Sequence, residues 1–439
     1  MVAQPLYLAN AFWGSEFRRY FCDACLPTLL APGNLAALDN DADNAIVIAT
    51  TEADWNWVRE HPTTRAAEQY FRIIHLEIPP VDADDDKFAR VALAYATISQ
   101  RAFADRARAF LLSPDLMLAD GSLAYLQKRV DAGIGVIFVC AWRSDETKLF
   151  AALAEEGFDI SSNGAAGRPL AIGSRPLVRA CLKSIHLLET DKFWESRCFS
   201  RIPGIIFWQP AADSDPASDE IVAHAFAGVP FIDFSKVTRH DMRGLSAVSF
   251  DAYPARIAVE GAGVELVDDS DKAFIASWTP TSAETWANFQ YSLALRLPVL
   301  RTVARCARIR AYARHVFVLG RNRLIRQTFA VPIRIHGSDR TSLGDRSAAH
   351  AANTLAWSVG DMLPHGSFPD SWAPVGRPWH PWWWLMRLAV ALFAFETTYR
   401  QNCLYVRSYW YILKGVLRGD PVMRSKLAAR LRQVLARSP

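Results

Sequence analysis

The stretch "RAFLLSPDLMLADGS", Arg108 to Ser122, drives an apolar run straight into Asp115 and brings a second acid, Asp120, just ahead of Gly-Ser. A carboxylate at the end of a strand offers two kinds of chemistry. It can cap the helix that follows, accepting hydrogen bonds from free backbone N–H groups. Alternatively it can serve a metal or phosphate site, because Mg2+ and Mn2+ prefer hard oxygen ligands and need few from the protein when phosphate and water supply the rest. A second pairing, Cys22 and Cys25 in "CDAC", has no partner pair or histidine cluster nearby, so small core residues on a helix are the simpler expectation than zinc or redox chemistry.

The elements that must position Asp115 are legible in the hydropathy pattern. "PLYLANAF" reads as a strand and "SEFRRYFCDACLPTLL" as a helix; "NAIVIATT" is a second strand, followed by the short helix "EADWNWVREH". "RIIHLEI" is a third strand, "DDDKFARVALAYATISQRAFADRA" a long helix, "RAFLLSPD" a fourth strand, "SLAYLQKRVDAG" a helix and "GIGVIFVCA" a fifth strand. This alternation predicts an α/β domain with a mostly parallel sheet flanked by helices, whose ligands bind outside the carboxyl ends of the strands. No G-x-G-x-x-G follows the first strand and no G-x-x-x-x-G-K with Ser or Thr occurs, which argues against a dinucleotide fold or a P-loop NTPase.

The chain has 439 residues, 51% of them hydrophobic and 21% charged, enough for one large core with an appendage or for two domains. A net charge of +4 is too small to dictate a partner. Seven cysteines without periodic spacing do not resemble a disulfide framework. The N-terminus shows no secretory signal and no apolar run reaches the roughly 20 residues of a spanning helix, so the expected location is the cytoplasm. After Glu284 the composition changes. Thr285 to Ser338 holds no Asp or Glu, while ten Arg fall between Arg296 and Arg334, and six of the fifteen Trp fall between Trp372 and Trp410. We therefore place a boundary near 280, with residues 281–439 as a mainly helical C-terminal region. Its Trp, Tyr and Arg suit an anionic membrane surface on the inner face of the membrane, or else a helical subdomain with a Trp core. The arginines also permit nucleic-acid binding, ranked last because no base-reading motif accompanies them.

The order of elements, with "FWGSEFRRYFCDACLPTLLAPGNLAAL", "LLSPDLMLADGSLAYL" and "IVAHAFAGVPFIDF", resembles the nucleotide-binding half of GT-A-type nucleotide-sugar glycosyltransferases, in particular a group of poorly characterised bacterial glycosyltransferase-like proteins. In those enzymes a helix before the fourth strand leads into a short acidic motif, commonly Asp-x-Asp, and a helix follows. The resemblance covers about residues 5 to 275 and implies a GT-A-like nucleotide-sugar-binding domain over 1–280. It puts Asp115 at the last acid of the motif, as a ligand to Mn2+ or Mg2+ at the donor diphosphate, with Ser113 where the first acid would stand. It also implies that Ala11, Phe12, Trp13 and Gly14, with Thr50 and Thr51, line the nucleoside pocket. His224 reads as a core histidine, or as a further metal ligand or substrate contact. An inverting transfer needs a general base, for which Asp233, Asp241, Asp269 and Asp271 are the candidates, each of them also an ordinary turn or cap residue. The function implied is transfer of a sugar from a nucleotide-sugar donor to a cell-surface glycan or lipid-linked acceptor. The other reading is a non-catalytic binding protein of the same fold, favoured by Ser113.

Overall fold

A computed structural model describes residues 4–38, 43–79, 87–200, 203–208, 220–240, 257–259, 262–281, 298–319, 323–338 and seven positions between 351 and 363. Three early strands, β1 (Leu6–Ala11), β2 (Ala45–Thr50) and β3 (Arg72–Glu77), are separated by helices α1 (Ser15–Arg19), α2 (Leu26–Leu29), α3 (Glu52–Val58) and α4 (Pro62–Ala67). A π-helical turn, Tyr20–Cys25, joins α1 to α2. The long helix α5 (Lys87–Ala104) leads into β4 (Arg108–Leu112) and β5 (Leu116–Leu118), and α6 (Ser122–Asp131) into β6 (Ile134–Val139) and β7 (Ala141–Asp145). Helices α7 (Glu146–Glu155), α8 (Ile160–Ala165), α9 (Ser174–Lys183) and α10 (Leu187–Thr190) precede strands β8 (Ile205–Trp208), β9 (Glu220–Ala225), β10 (Val229–Asp233), β11 (Val237–His240), β12 (Ile257–Val259), β13 (Gly263–Leu266) and β14 (Ile275–Thr279). Helices α11 (Pro298–Ala313) and α12 (Arg323–Thr328) and strand β15 (Ile333–His336) follow.

Seven strands form the main sheet in the order β13-β6-β10-β4-β1-β2-β3. All run parallel except β10, which pairs antiparallel with both β4 and β6. The expected mostly parallel sheet is thus present, and β1 and β2 are buried at every residue, as strands covered on both faces must be. Period-two alternation divides their side chains between two cores. Tyr7, Ala9, Val47 and Ala49 join Tyr95 and Ile98 of α5 on one face, while Leu8, Ile46 and Ile48 join Phe21, Cys22 and Leu26 on the other. Each such aliphatic or aromatic side chain contributes about 1.5–3 kcal/mol by leaving water. Cys22 and Cys25 are buried thiols in the π turn, with their pKa values pushed up by that burial; they serve as core.

A smaller sheet, β5-β14-β7, grows out of the main one. Strand β4 ends at Leu112 and the chain re-enters pairing at Leu116, as β6 does through Cys140 into β7. Pro114 in the gap has no N–H to give a ladder, which helps end β4 there. The β14 strand then lies between the two continuations, antiparallel to β5 and parallel to β7. A third sheet, β15-β9-β8, is antiparallel throughout. Among the described residues no helix is long and apolar enough to cross a membrane.

Three arginines of α11 point inward rather than forming a basic face. Arg305 donates to the Ser196 carbonyl at 2.8 Å and lies 5.2 Å over the Trp194 ring, Arg308 donates to the Phe199 carbonyl, and Arg310 donates to the Ser358 carbonyl at 3.0 Å. Burial lowers the Arg305 pKa to about 10. The Trp-rich segment from Trp372 to Trp410 and the basic tail lie outside the described residues.

Candidate functional site

The carboxyl ends of β1, β2 and β4 meet on one edge of the main sheet. Phe12 N donates to Ala49 O at 3.1 Å, so the loop leaving β1 runs beside the end of β2. Ala11 and Phe12 are buried, Trp13 is half-buried and Gly14 is exposed with φ of 89°. Thr51 caps α3 by accepting from Asp54 N at 3.2 Å, and its hydroxyl donates to Asp54 Oδ2 at 2.9 Å. That same Oδ2 accepts from Gly14 N at 2.8 Å, while Oδ1 pairs with Arg18 at 3.2 Å. Asp54 therefore ties the two expected pocket loops together. The sequence reading missed it, although Thr51-x-x-Asp54 is a capping-box spacing. Two buried polar atoms on this edge, Asn10 Oδ1 and Thr50 Oγ1, have no hydrogen-bond partner among the described residues. Buried acceptors of this kind call for a ligand or a water.

Asp115 stands where β4 leaves the main sheet for the smaller one. Tyr95 of α5 donates its hydroxyl to the Leu112 carbonyl and so pins the strand end, and Ser113 Oγ donates to Asp115 Oδ1. Ser113 thus orients the acid that follows it. Burial pushes the Asp115 carboxyl above the usual range, opposed by the Ser113 hydroxyl and by the charge of Arg143. Across the small sheet, Ser277 of β14 pairs with Leu116 on one side and Arg143 of β7 on the other. Arg143 is exposed. Behind it, Arg143 O accepts from His186 N at 3.3 Å, and the buried His186 ring caps α10 by accepting from Leu188 N at 3.1 Å. The pKa of His186 is lowered by burial first and by Arg143 second. Tyr20 completes the rim, its hydroxyl 2.8 Å from Glu16 Oε1 and 2.6 Å from Glu146 Oε2 and its ring edge-on to Trp278.

Asp120 is not the cap of α6. That position is Gly121, with φ of 89° and no side-chain bond, while Asp120 Oδ1 accepts from Gly33 N at 2.6 Å. A Cβ on Gly33 would lie 2.6 Å from Gly121 N, so this turn requires glycine.

The remaining candidates lie at other edges. Asp233 ends β10 opposite Arg108, the first residue of β4, and so faces the edge of the sheet away from Asp115. Its buried carboxylate accepts from Gln4 Nε2 at 2.7 Å, Ser235 N at 3.0 Å and Ser235 Oγ at 2.6 Å. His224 lies in β9, with Nδ1 3.0 Å from Phe329 O and its ring edge-on to Trp208. Burial lowers its pKa to about 4, which keeps it neutral. Asp241 lies outside the described residues.

Asp269 and Asp271 come together with a residue the sequence reading had not singled out. His336 Nε2 is 2.9 Å from Asp269 Oδ1 and 3.8 Å from Asp271 Oδ2, and the three ligand atoms lie within 4.8 Å of one another. Strand β15 delivers His336 to this corner: Arg334 N donates to Asp268 O at 2.8 Å and Ser270 N to Arg334 O at 2.9 Å. Partners are already present, since Arg175 pairs with Asp271 at 2.9 Å and Asp269 accepts from Asp271 N at 2.9 Å. The hydrogen bond between them raises the His336 pKa and lowers that of Asp269. This is the metal-capable group among the described residues, and it precedes β14, whereas Asp115 lies beside the strand's far end. Strand β14 runs between the two.

A divalent cation at Asp115 fits poorly. Among the described residues no acid, histidine or cysteine joins Asp115 in a three-ligand group, and the neighbouring charge is a guanidinium. One imidazole and two carboxylates at the other corner match the ligand preferences of Mn2+ better.

No protein-family model matches this sequence, and no curated protein matches it. Among solved structures, the chain is similar to the apo form of mouse xyloside xylosyltransferase 1 at 14% identity and a TM-score of 0.22, over 35% of this chain and 59% of that one. It is also similar to S. aureus TarS at 8% identity and a TM-score of 0.31, over 90% of this chain and 55% of that one. The chain thus spans less than two thirds of the length of either.

Proposed function

We propose that the chain is a glycosyltransferase that binds a nucleotide-activated sugar across the carboxyl ends of β1, β2 and β4 and passes the sugar to a glycan or lipid-linked acceptor. The observation that carries this reading is the position of Asp115, an oriented and half-buried acid at the point where the two sheets part. Crevices of this kind are where open α/β sheets take their ligands. Helix α5, strand β4, the acid and helix α6 follow one another in the order of the GT-A-type motif, which supports the finer assignment. In this reading Ala11 to Gly14, Thr50 and Thr51 receive the nucleoside, Asp54 holds their loops, and Asp115 accepts hydrogen bonds from donor hydroxyls. Asp269 and Asp271 take no part in the transfer step; Mn2+ or Mg2+, where bound, is assigned to them and His336. Residues 1–280 form the donor side, and residues 281–439 bring the acceptor, with an anionic membrane on the cytoplasmic face as its setting.

The non-catalytic alternative is favoured by Ser113 in place of an acid and by the lack, among the described residues, of a three-ligand group at Asp115. Titration calorimetry with UDP, GDP and CDP, on the native chain and on Asp115→Ala, combined with hydrolysis of the matching sugar nucleotides, separates the two. Binding with turnover, both lost in the variant, supports the transferase. Binding without turnover selects the alternative, and no binding of any nucleotide rejects both.

A further inference from the structure

The proposed donor carries a diphosphate, and the crevice offers it an acid. Without counter-charge that pairing is repulsive, because two anions in a partly buried cleft are poorly screened. The metal that would relieve it has no three-ligand group beside Asp115 among the described residues. A cation carried by the chain itself would relieve it without a metal, and few side chains meet the geometry. Arg18 is already paired with Asp54 at 3.2 Å, and Arg175 with Asp271 at 2.9 Å. Arg143 differs. It is exposed on β7, forms no ion pair among the described residues, and stands two strands from the start of β5, a backbone spacing of about 10 Å. Its charge acts on both Asp115 and His186.

Resting on the glycosyltransferase reading, we infer that Arg143 binds the diphosphate of the donor in place of a divalent cation, so that nucleotide binding at this crevice is metal-independent. The planar guanidinium offers two parallel N–H donors to phosphate oxygens and supplies positive charge where the departing diphosphate gains negative charge. Asp115 keeps a different task, holding hydroxyls, for which an acceptor with a raised proton affinity is suited.

The test is calorimetry in EDTA with UDP, GDP and CDP and with the corresponding nucleosides, on the native chain, Arg143→Gln and Arg143→Lys. Since Arg143 is exposed, neither substitution threatens folding. The expected result is diphosphate binding that persists in EDTA and falls roughly 10- to 100-fold in Arg143→Gln, with partial retention in Arg143→Lys and nucleoside affinity unchanged. Diphosphate binding that survives Arg143→Gln at full strength, or that vanishes in EDTA and returns with Mn2+, overturns this inference while leaving the glycosyltransferase reading standing. Absence of binding by any nucleotide or nucleoside overturns both.

Discussion

At the Thr279 end of β14 the half-buried carboxylate of Asp115 lies near Arg143, an arginine with no ion pair among the described residues; at the Ile275 end two carboxylates and an imidazole converge within 4.8 Å, with Arg175 paired to Asp271. What separates them is satisfaction. The Asp269–Asp271–His336 corner is closed by side chains from three segments, as expected of a group that fastens β15 to the rest of the fold. The Asp115 end leaves charge and hydrogen-bonding capacity open, which costs stability and makes sense only where a ligand completes it.

The largest effect should come from the open end. Asp115→Asn is expected to lower turnover of the donor sugar nucleotide on the order of 100-fold, while Asp271→Asn changes it less than about twofold. Stability should move the other way. A carboxyl whose folded pKa is raised contributes stability only in its protonated form, below the unfolded value of 3.8, and loses it as pH rises through the folded pKa. At neutral pH the neutral Asn variant should therefore melt no lower than the native chain. A turnover loss in Asp271→Asn equal to that in Asp115→Asn would erase the distinction between the two ends.

Next in size is the response to metal. Mn2+ at about 100 times its dissociation constant should stabilise the native chain by roughly 2.7 kcal/mol, read as a rise in Tm. His336→Ala should abolish that rise and Asp115→Asn should not. The opposite pattern would move the cation to the crevice.

How much of this contrast is legible beforehand depends on range. Strands β1 to β4 and β6 declare themselves by continuous apolar runs, and α5 by its helical spacing, because local propensity and burial agree there. The three-residue β5 does not, since "LML" becomes a strand only when β14 arrives from over 150 residues away. Asp115 was readable as an acid at a strand end. Arg143 was not readable as its neighbour, because Ser277 of β14 pairs with Arg143 on one side and with Leu116, the residue after Asp115, on the other. His336 meets Asp269 across 67 residues, again through a strand pairing that no local pattern announces. The arginines of α11 mislead for a related reason: Arg305 and Arg308 read as a basic face, yet they satisfy carbonyls of the loop around Ser196 and Phe199.

A smaller effect distinguishes the closed corner by pH. His336 has its pKa raised above the ordinary 6.5 by Asp269, so its contribution is complete below 6.5 and is lost as pH rises through the folded value. Asp269 has its pKa lowered, so its contribution is present above 3.8 and is lost as pH falls through the folded value. The pair therefore stabilises most strongly between about 4 and 6.5, by about 1 kcal/mol given its partial exposure. Denaturant midpoints across that range should show a plateau in the native chain that is absent in His336→Gln. Identical profiles would mean that the corner contributes through packing alone.

The smallest effect is the most specific to the open end. Ser113 occupies the place of an acid and donates its hydroxyl to Asp115, an interaction that lowers the Asp115 pKa against the upward push of burial. Removing it in Ser113→Ala should leave the fold intact and cost less than about 1 kcal/mol at neutral pH, a few-fold at most in kcat/KM. The acid limb of the pH–rate profile, however, should move to higher pH, because the carboxyl loses its one side-chain donor and holds its proton longer. A Ser113→Asp variant gives the complementary result. It restores a second acid beside Asp115, so it should raise the Asp115 pKa further by like-charge repulsion and make nucleotide binding depend on added Mn2+. An unshifted acid limb in Ser113→Ala would show that Asp115 does not titrate in the step that limits turnover, and its part would then be confined to holding the donor in place.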